Sequence, residues 1–250
     1  MKVLALPAAL LVLLGSLAAQ DSFDASRAPD RGTEVRVHGI QILPVTNKPF
    51  SGRDHIEWTR TLENGSVITT ELYAILARDS QGRIYREHVS FVPARSNQPS
   101  KRREIDVLDP VAHTRTVCLM AKRHCAISSY YASTKFVPPP TGPQANGTRY
   151  LTRESLGTDV IDGLPVLGTR ETLTINAGAV GNSQSLVTTK EYWYSPDLEI
   201  NLLTTRKDPR EGTEIIHVVD LSRTEPNPSV FEIPANFVVE DDRWAPRSRN

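Results

Sequence analysis

This chain lacks the recognisable parts of catalysis and of helical membrane crossing. It has only two cysteines, and its six histidines stand singly at 38, 55, 88, 113, 124 and 217. No G-x-S-x-G elbow, H-E-x-x-H helix, Walker loop or G-x-G-x-x-G turn occurs, so acyl transfer, zinc hydrolysis and nucleotide chemistry have no motif here. Charge of one sign is also missing: 29 Lys+Arg face 29 Asp+Glu. That balance removes the electrostatic case for nucleic acid or for strong attraction to an anionic surface. Beyond residue 19 no long apolar run and no amphipathic stretch at period 3.6 can be traced. The expectation is a non-enzyme with no cofactor and no metal.

The first 19 residues have the form of a signal peptide. Lys2 is a minimal basic region, Val3 to Leu14 is apolar except for Pro7, and Ser16-Leu17-Ala18 supplies the small residues that a signal peptidase reads. Cleavage after Ala18 or Ala19 predicts a periplasmic or secreted protein with no later membrane segment. No cysteine sits at the cleavage site, so it is not expected to be a lipoprotein. Removing Lys2 leaves 28 basic against 29 acidic residues. What remains is long enough for one sizeable core.

In an exported chain, two cysteines point to one disulfide. If 116–126 folds as a hairpin with its tip at Ala121-Lys122, residues summing to 243 pair, and Cys118 falls opposite Cys125. The alternatives are a redox pair or, with His124, a metal site.

Along the rest of the chain, β-branched and aromatic runs alternate with turn chemistry. Residues 20–48 read as a flexible leader, in which 34–43 alternates enough to suggest an edge strand. Strands follow over about 54–62, 67–77, 83–92 and 104–108, then the cysteine hairpin, then 150–161 and 166–175. Ile56, Trp58 and Leu62 share one side of the first strand, and Asn64-Gly65 is a strong hairpin signal. A basic loop spans 95–103 and suits lipid headgroups, an acidic partner or plain solvent. The Pro-rich excursion 128–147 cannot enter a central strand. The last meander, 192–221, turns at Ser195-Pro196-Asp197 and at Asp208-Pro209-Arg210. Residues 241–250 read as a tail. The fold expected is mainly β with little helix. Its core is a single curved antiparallel meander sheet of about eleven strands, or an incomplete barrel, forming one domain over 49–240.

Alternation divides the aromatic run Tyr192-Trp193-Tyr194. A turn pairing residues that sum to 393 would set Trp193 opposite Ile200, on a face with Val187 and Leu202. Tyr192, Tyr194 and Leu203 would lie on the other face as candidate contact residues, beside Lys190 and Asn201. A one-residue slip would exchange these sets, so which face is core stays open.

Several segments together resemble a group of exported bacterial proteins of unassigned activity. They are Pro49-Phe50-Ser51, Asp79 to Arg83, Leu108 to Val111, Leu156-Gly157-Thr158 through Gly163, Ala177 to Asn182, Trp193 to Pro196, Asp208-Pro209-Arg210 and Asn227 to Pro234. More distantly, strand count and the terminal Phe-x-x-Pro resemble the half-barrel fold of periplasmic lipoprotein carriers and of the envelope-stress regulator that shares it. The resemblance implies a hollow able to hold a lipid or acyl chain, or an envelope protein segment, and transfers no catalytic residue. Two readings follow: a non-catalytic binding protein, or an envelope structural protein without a small-ligand pocket.

Overall fold

The protein is described from a computed structural model, over residues 40–131 and 137–244. The expected signal peptide, most of the leader and the end of the tail lie outside these residues. Fourteen strands build one curved, unclosed sheet. In chain order these are β1 Phe50–Thr61, β2 Val67–Arg78, β3 Ile84–Val89, β4 Val92–Pro93, β5 Arg102–Asp109, β6 Thr114–Leu119 and β7 His124–Ser129. They continue with β8 Gly142–Gln144, β9 Arg149–Ile161, β10 Leu164–Ile175, β11 Leu186–Ser195, β12 Ile200–Asp208, β13 Gly212–Ser222 and β14 Val238–Asp241. Among the described residues, the only helix is three short 3-10 turns.

Eleven of these strands are the expected ones. The additional β4, β8 and β14 have two, three and four residues, too few to leave a periodic signal. The sheet is mixed rather than wholly antiparallel, because β14 pairs with β7 in parallel.

The sheet order is β14-β7-β6-β5-β3-β2-β1-β13-β12-β11-β10-β9-β8, with β4 off this path and paired to β2. Two meanders, β1 to β7 and β8 to β13, are joined where β1 pairs with β13 from Ser51↔Ser222 to Thr59↔Thr213. The Pro-rich connection therefore leads from β7, next to one edge of the sheet, to β8 at the other edge.

Side-chain alternation assigns the two faces of β2 and β3. Leu76 and Ile84 join the larger apolar cluster with Ile56, Leu72, Leu202, Ile216 and Val218. Their neighbours Ala77 and Tyr85 join a second cluster with Ile105, Val107, Cys118, Cys125 and Phe231. Successive strand residues point to opposite faces, so the clusters lie on opposite sides of the sheet. The side of the larger cluster is called the inner face below. On the outer side Phe231, carried by a 3-10 turn that starts at Pro228 and is capped by Asn227, closes the second cluster.

Residues 40–48 depart from the expected leader. Ile40 and Ile42 are buried in the inner cluster. Residues 40–43 are not in a strand, so the suggested edge strand is absent from the part that is described. Arg78, itself fully buried, fastens this segment: Nη1 donates to Leu43 O at 2.9 Å, and Nε and Nη2 donate to Lys48 O at 3.0 and 2.8 Å. Burial depresses its pKa to about 10, against the opposing pull of Glu199. Lys48 Nζ donates to Glu199 Oε1 at 2.7 Å and to Pro196 O at 2.9 Å.

The turn after β11 corrects the expected register. Instead of two residues it holds four, with Glu199 N donating to Ser195 O at 2.7 Å and Glu199 at φ 52°. The physical reason is Leu198, which tucks into the inner cluster at 2% exposure and needs the longer turn to reach it. Ser195 therefore pairs with Ile200, and a bulge before Tyr194 puts Trp193 opposite Leu203 rather than Ile200. Val187 is 47% exposed and so is not core.

A groove on the inner face as the candidate functional site

β1 and β2 lay down the floor of a groove of about 1250 Å³. Alternation sends Ile56 and Trp58 of β1 and Leu72 and Ala74 of β2 to the same side, where all four line the groove. Ile56 pairs directly with Leu72, and Asp54 with Ala74, so the floor is a set of cross-strand neighbours. Phe91, next to β4, leans over Trp58 with ring centroids 6.2 Å apart. The tip of the cysteine hairpin, Met120 to Lys122, forms part of the opposite wall.

The rim carries charge of both signs. Lys101, Arg102, Arg103 and Lys122 line it, together with Glu87, Glu104 and Glu211. Arg102 Nη1 donates to Glu87 Oε1 at 2.8 Å, and Tyr85 OH donates to the same oxygen at 2.9 Å. Burial, reinforced by Glu87, pushes the Tyr85 hydroxyl up to about 12. The Glu87 hydrogen bond raises Arg102 above the ordinary arginine value.

Arg206, Glu211 and Glu214 line the groove next to the Asp208-Pro209-Arg210 turn. Arg210 donates to Asp208 through N at 2.9 Å, Nε at 3.0 Å and Nη2 at 2.8 Å. Thr188 Oγ1 at 2.9 Å and Arg206 Nη2 at 3.0 Å also donate to this carboxylate. Burial raises the Asp208 pKa, but the donors led by Arg210 outweigh it and bring the value down to about 2. Arg206 reaches on to Glu211 Oε2 at 3.1 Å, and Trp58 Nε1 donates to Glu211 O at 2.8 Å. The turn is thereby bonded to a residue of the groove floor.

From the groove a largely buried row of charge runs across the sheet. Glu214, Arg206, Lys190, Glu171 and Arg153 are consecutive register partners on β13, β12, β11, β10 and β9. Directly opposed positions share a face, so opposite charges meet at Arg206–Glu214, Lys190–Glu171 and Glu171–Arg153. Arg153 Nε donates to Glu171 Oε1 at 2.8 Å. On the other side of β10, Arg170 Nε donates to Glu191 at 2.8 Å.

The residues singled out in the sequence fall in separate places. Cys118 pairs with Cys125 and the two form a disulfide, so they leave no thiol for a metal site with His124. His124 Nε2 instead lies 3.3 Å from Glu240. Tyr192, Tyr194 and Leu203 are half-buried, and none of them lines the groove. Tyr192 OH donates to Glu171 Oε1 at 3.4 Å, tying it to the charged row. Of the basic loop, Lys101, Arg102 and Arg103 line the groove and Arg95 does not.

Among the described histidines, only His88 lines the groove. Its Nε2 stands 3.8 Å from Glu104, and burial lowers its pKa despite that carboxylate. His55 stacks on Tyr73 at 4.3 Å and contacts Glu71 at 3.3 Å. Among the described residues, no group of three or more His, Cys, Asp or Glu is placed to hold a metal ion. No helix among them is long and apolar enough to cross a membrane. The groove thus has an apolar floor and charged walls.

No family model matches the chain. No curated protein matches it either. Among solved structures, it is similar to an uncharacterised conserved protein from Thermus thermophilus, at TM-score 0.40 and 12% identity, over 78% of this chain and 90% of that one. It is also similar to the Pseudomonas aeruginosa MucA/MucB complex structure, at TM-score 0.38 and 14% identity, over 76% of this chain and 56% of that one. A LolA superfamily protein from Nitrosomonas europaea is matched at TM-score 0.27 and 10% identity, over 84% of this chain and 93% of that one. At these identities and TM-scores the matches carry no residue's role across.

Proposed function

We propose that this chain is an exported, non-catalytic binding protein that holds an acyl chain in the groove of the inner face. The observation that carries the reading is the floor itself. Ile56, Leu72 and Ala74, with Trp58 and Phe91 beside them, present apolar surface in a groove of about 1250 Å³. That is larger than the few hundred to roughly 1,000 Å³ of an ordinary small-molecule pocket. Each buried CH₂ of an acyl chain contributes roughly 0.8 kcal/mol, so a long chain along this floor binds without any covalent step. Lys101, Arg103 and Lys122 on the rim suit an anionic headgroup. Export rests on the form of residues 1–19.

The test is a solvent extract of protein purified without detergent from a bacterial periplasm, analysed by mass spectrometry. A stoichiometric acyl lipid, lost in a Phe91→Asp variant, is the expected result. Repeated absence of lipid, together with failure of the dye ANS to bind, would favour the envelope structural role instead.

A further inference from the structure

We infer that the acyl-binding surface runs on past the groove along the β1–β2 hairpin, where Ile68 and Leu62 select for long chains. The inference rests on the acyl-binding reading of the groove and adds the length of chain it takes. Trp58 is the last residue of β1 to line the groove, and Leu72 the last of β2. Beyond them the two strands stay paired, through Trp58↔Thr70, Arg60↔Ile68 and Thr61↔Val67. Alternation keeps Ile68 on the face of Leu72 and Ala74. Ala74 to Ile68 is roughly 20 Å of strand. Leu62, just past β1, extends the ladder by donating its N–H to Ser66 O at 2.8 Å, and it follows Trp58 and Arg60 in alternation.

Ile68 is 41% exposed and Leu62 40%, so open apolar surface lies in line with a sheltered apolar floor. Arg60, between them, carries its Cζ 4.8 Å from the Trp58 ring centroid, which draws its charge back toward the groove. The strip is too small for a protein partner. Two side chains cannot supply the roughly 800 Å² that each side of a stable interface buries. Glu63 in the hairpin turn is exposed, and its charge opposes insertion of the tip into hydrocarbon. A single chain emerging from the groove meets both limits. Val67, more exposed still, lies on the opposite face of β2 and takes no part.

The test is displacement of cis-parinaric acid by saturated fatty acids of ten to twenty carbons, which share one carboxylate headgroup. In the native protein, affinity is expected to rise with each added carbon up to the longest chains, by roughly twofold to fourfold per CH₂. In Ile68→Thr combined with Leu62→Thr, the rise should stop at a shorter chain, while the shortest fatty acids bind as before. Threonine suits an exposed strand, so the hairpin is kept. Val67→Thr is the control and should leave the whole profile unchanged. Plateaus at one chain length in all three proteins would overturn the inference and leave the groove reading standing. An equal effect of Val67→Thr would also overturn it, since a bilayer or a second copy would contact both faces of the hairpin. Binding of no chain at any length would overturn both the inference and the reading beneath it.

Discussion

Arg78 Nη2 donates to Leu198 O at 2.6 Å, across 120 residues of sequence. One buried guanidinium thus joins the end of β2, the segment 40–48 and the four-residue turn between β11 and β12. Its donors go to main-chain oxygens, at Leu43, Lys48 and Leu198. Arg78→Met would leave these acceptors without their donor, at about 1–3 kcal/mol for each buried group that water does not reach. The expected loss is roughly 3 kcal/mol or more in urea unfolding. Arg78→Lys should recover little, because a single ammonium cannot reproduce the planar fork.

Gly168 is required by Trp193. A Cβ at position 168 would stand 2.6 Å from Trp193 Cζ3 and 2.9 Å from Leu156 Cβ, closer than packed atoms come. The indole therefore rests on the bare backbone of its register partner. Gly168→Ala should cost roughly 1–3 kcal/mol by overpacking. Adding Trp193→Leu should return part of that loss, and a double-mutant cycle by thermal or urea unfolding measures the coupling.

Replacing both Cys118 and Cys125 by alanine frees a loop of small span, which the chain-entropy account values at about 2.5 kcal/mol. Alkylation of the native protein without reductant should label neither thiol. The same double variant should weaken probe binding, because the hairpin tip at Met120 to Lys122 is part of the groove wall.

Asp208 sets an acid limit. Its pKa lies at about 2 in the fold, against an ordinary 3.8. A depressed carboxylate contributes stability that is fully present above the ordinary value and is lost as pH falls through the folded one. The window is therefore about pH 4 down to about pH 2, and the contribution is about 2 kcal/mol. Unfolding measured across that range should steepen for the native protein. The Asp208→Asn variant should be less stable at neutral pH and flatter below about pH 4.

The groove prediction separates apolar from charged recognition. Phe91→Asp places a charge beside Trp58 and should reduce cis-parinaric acid affinity at least tenfold, with little change in urea midpoint, since Phe91 is 37% exposed. Lys101→Glu combined with Arg103→Glu should weaken an anionic probe more than a neutral one of the same chain length. Equal effects on both probes would remove the headgroup role from the rim.

Much of the sheet was legible because its signals are local. Asn64-Gly65 turns with Gly65 at φ 79°, and Asp208 caps its own turn by accepting from Arg210 N. The cysteine hairpin pairs as its spacing requires. Of Ile56, Trp58 and Leu62, expected on one side of a strand, Ile56 and Trp58 form part of the groove floor, whereas Leu62 lies beyond the end of β1 and is exposed. The aromatic run was less legible, because Leu198 lengthens the turn and a bulge shifts the register beside Trp193. A one-residue change in pairing reassigns side chains to faces, and nothing in the neighbouring sequence announces it.

Turn residues, strand alternation and cysteine spacing were sufficient, within the chain alone, for eleven strands and one disulfide hairpin, since each depends on interactions between near neighbours. Tertiary structure alone decided that β1 meets β13 and that β14 adds in parallel. It also decided that residues 40–48 enter the inner face rather than trailing from it. These are long-range choices, made by the burial of Ile40, Leu198 and Phe231 and by the carbonyls that Arg78 gathers. The groove belongs to the second kind, because its floor and rim come from segments that meet only when the sheet curves.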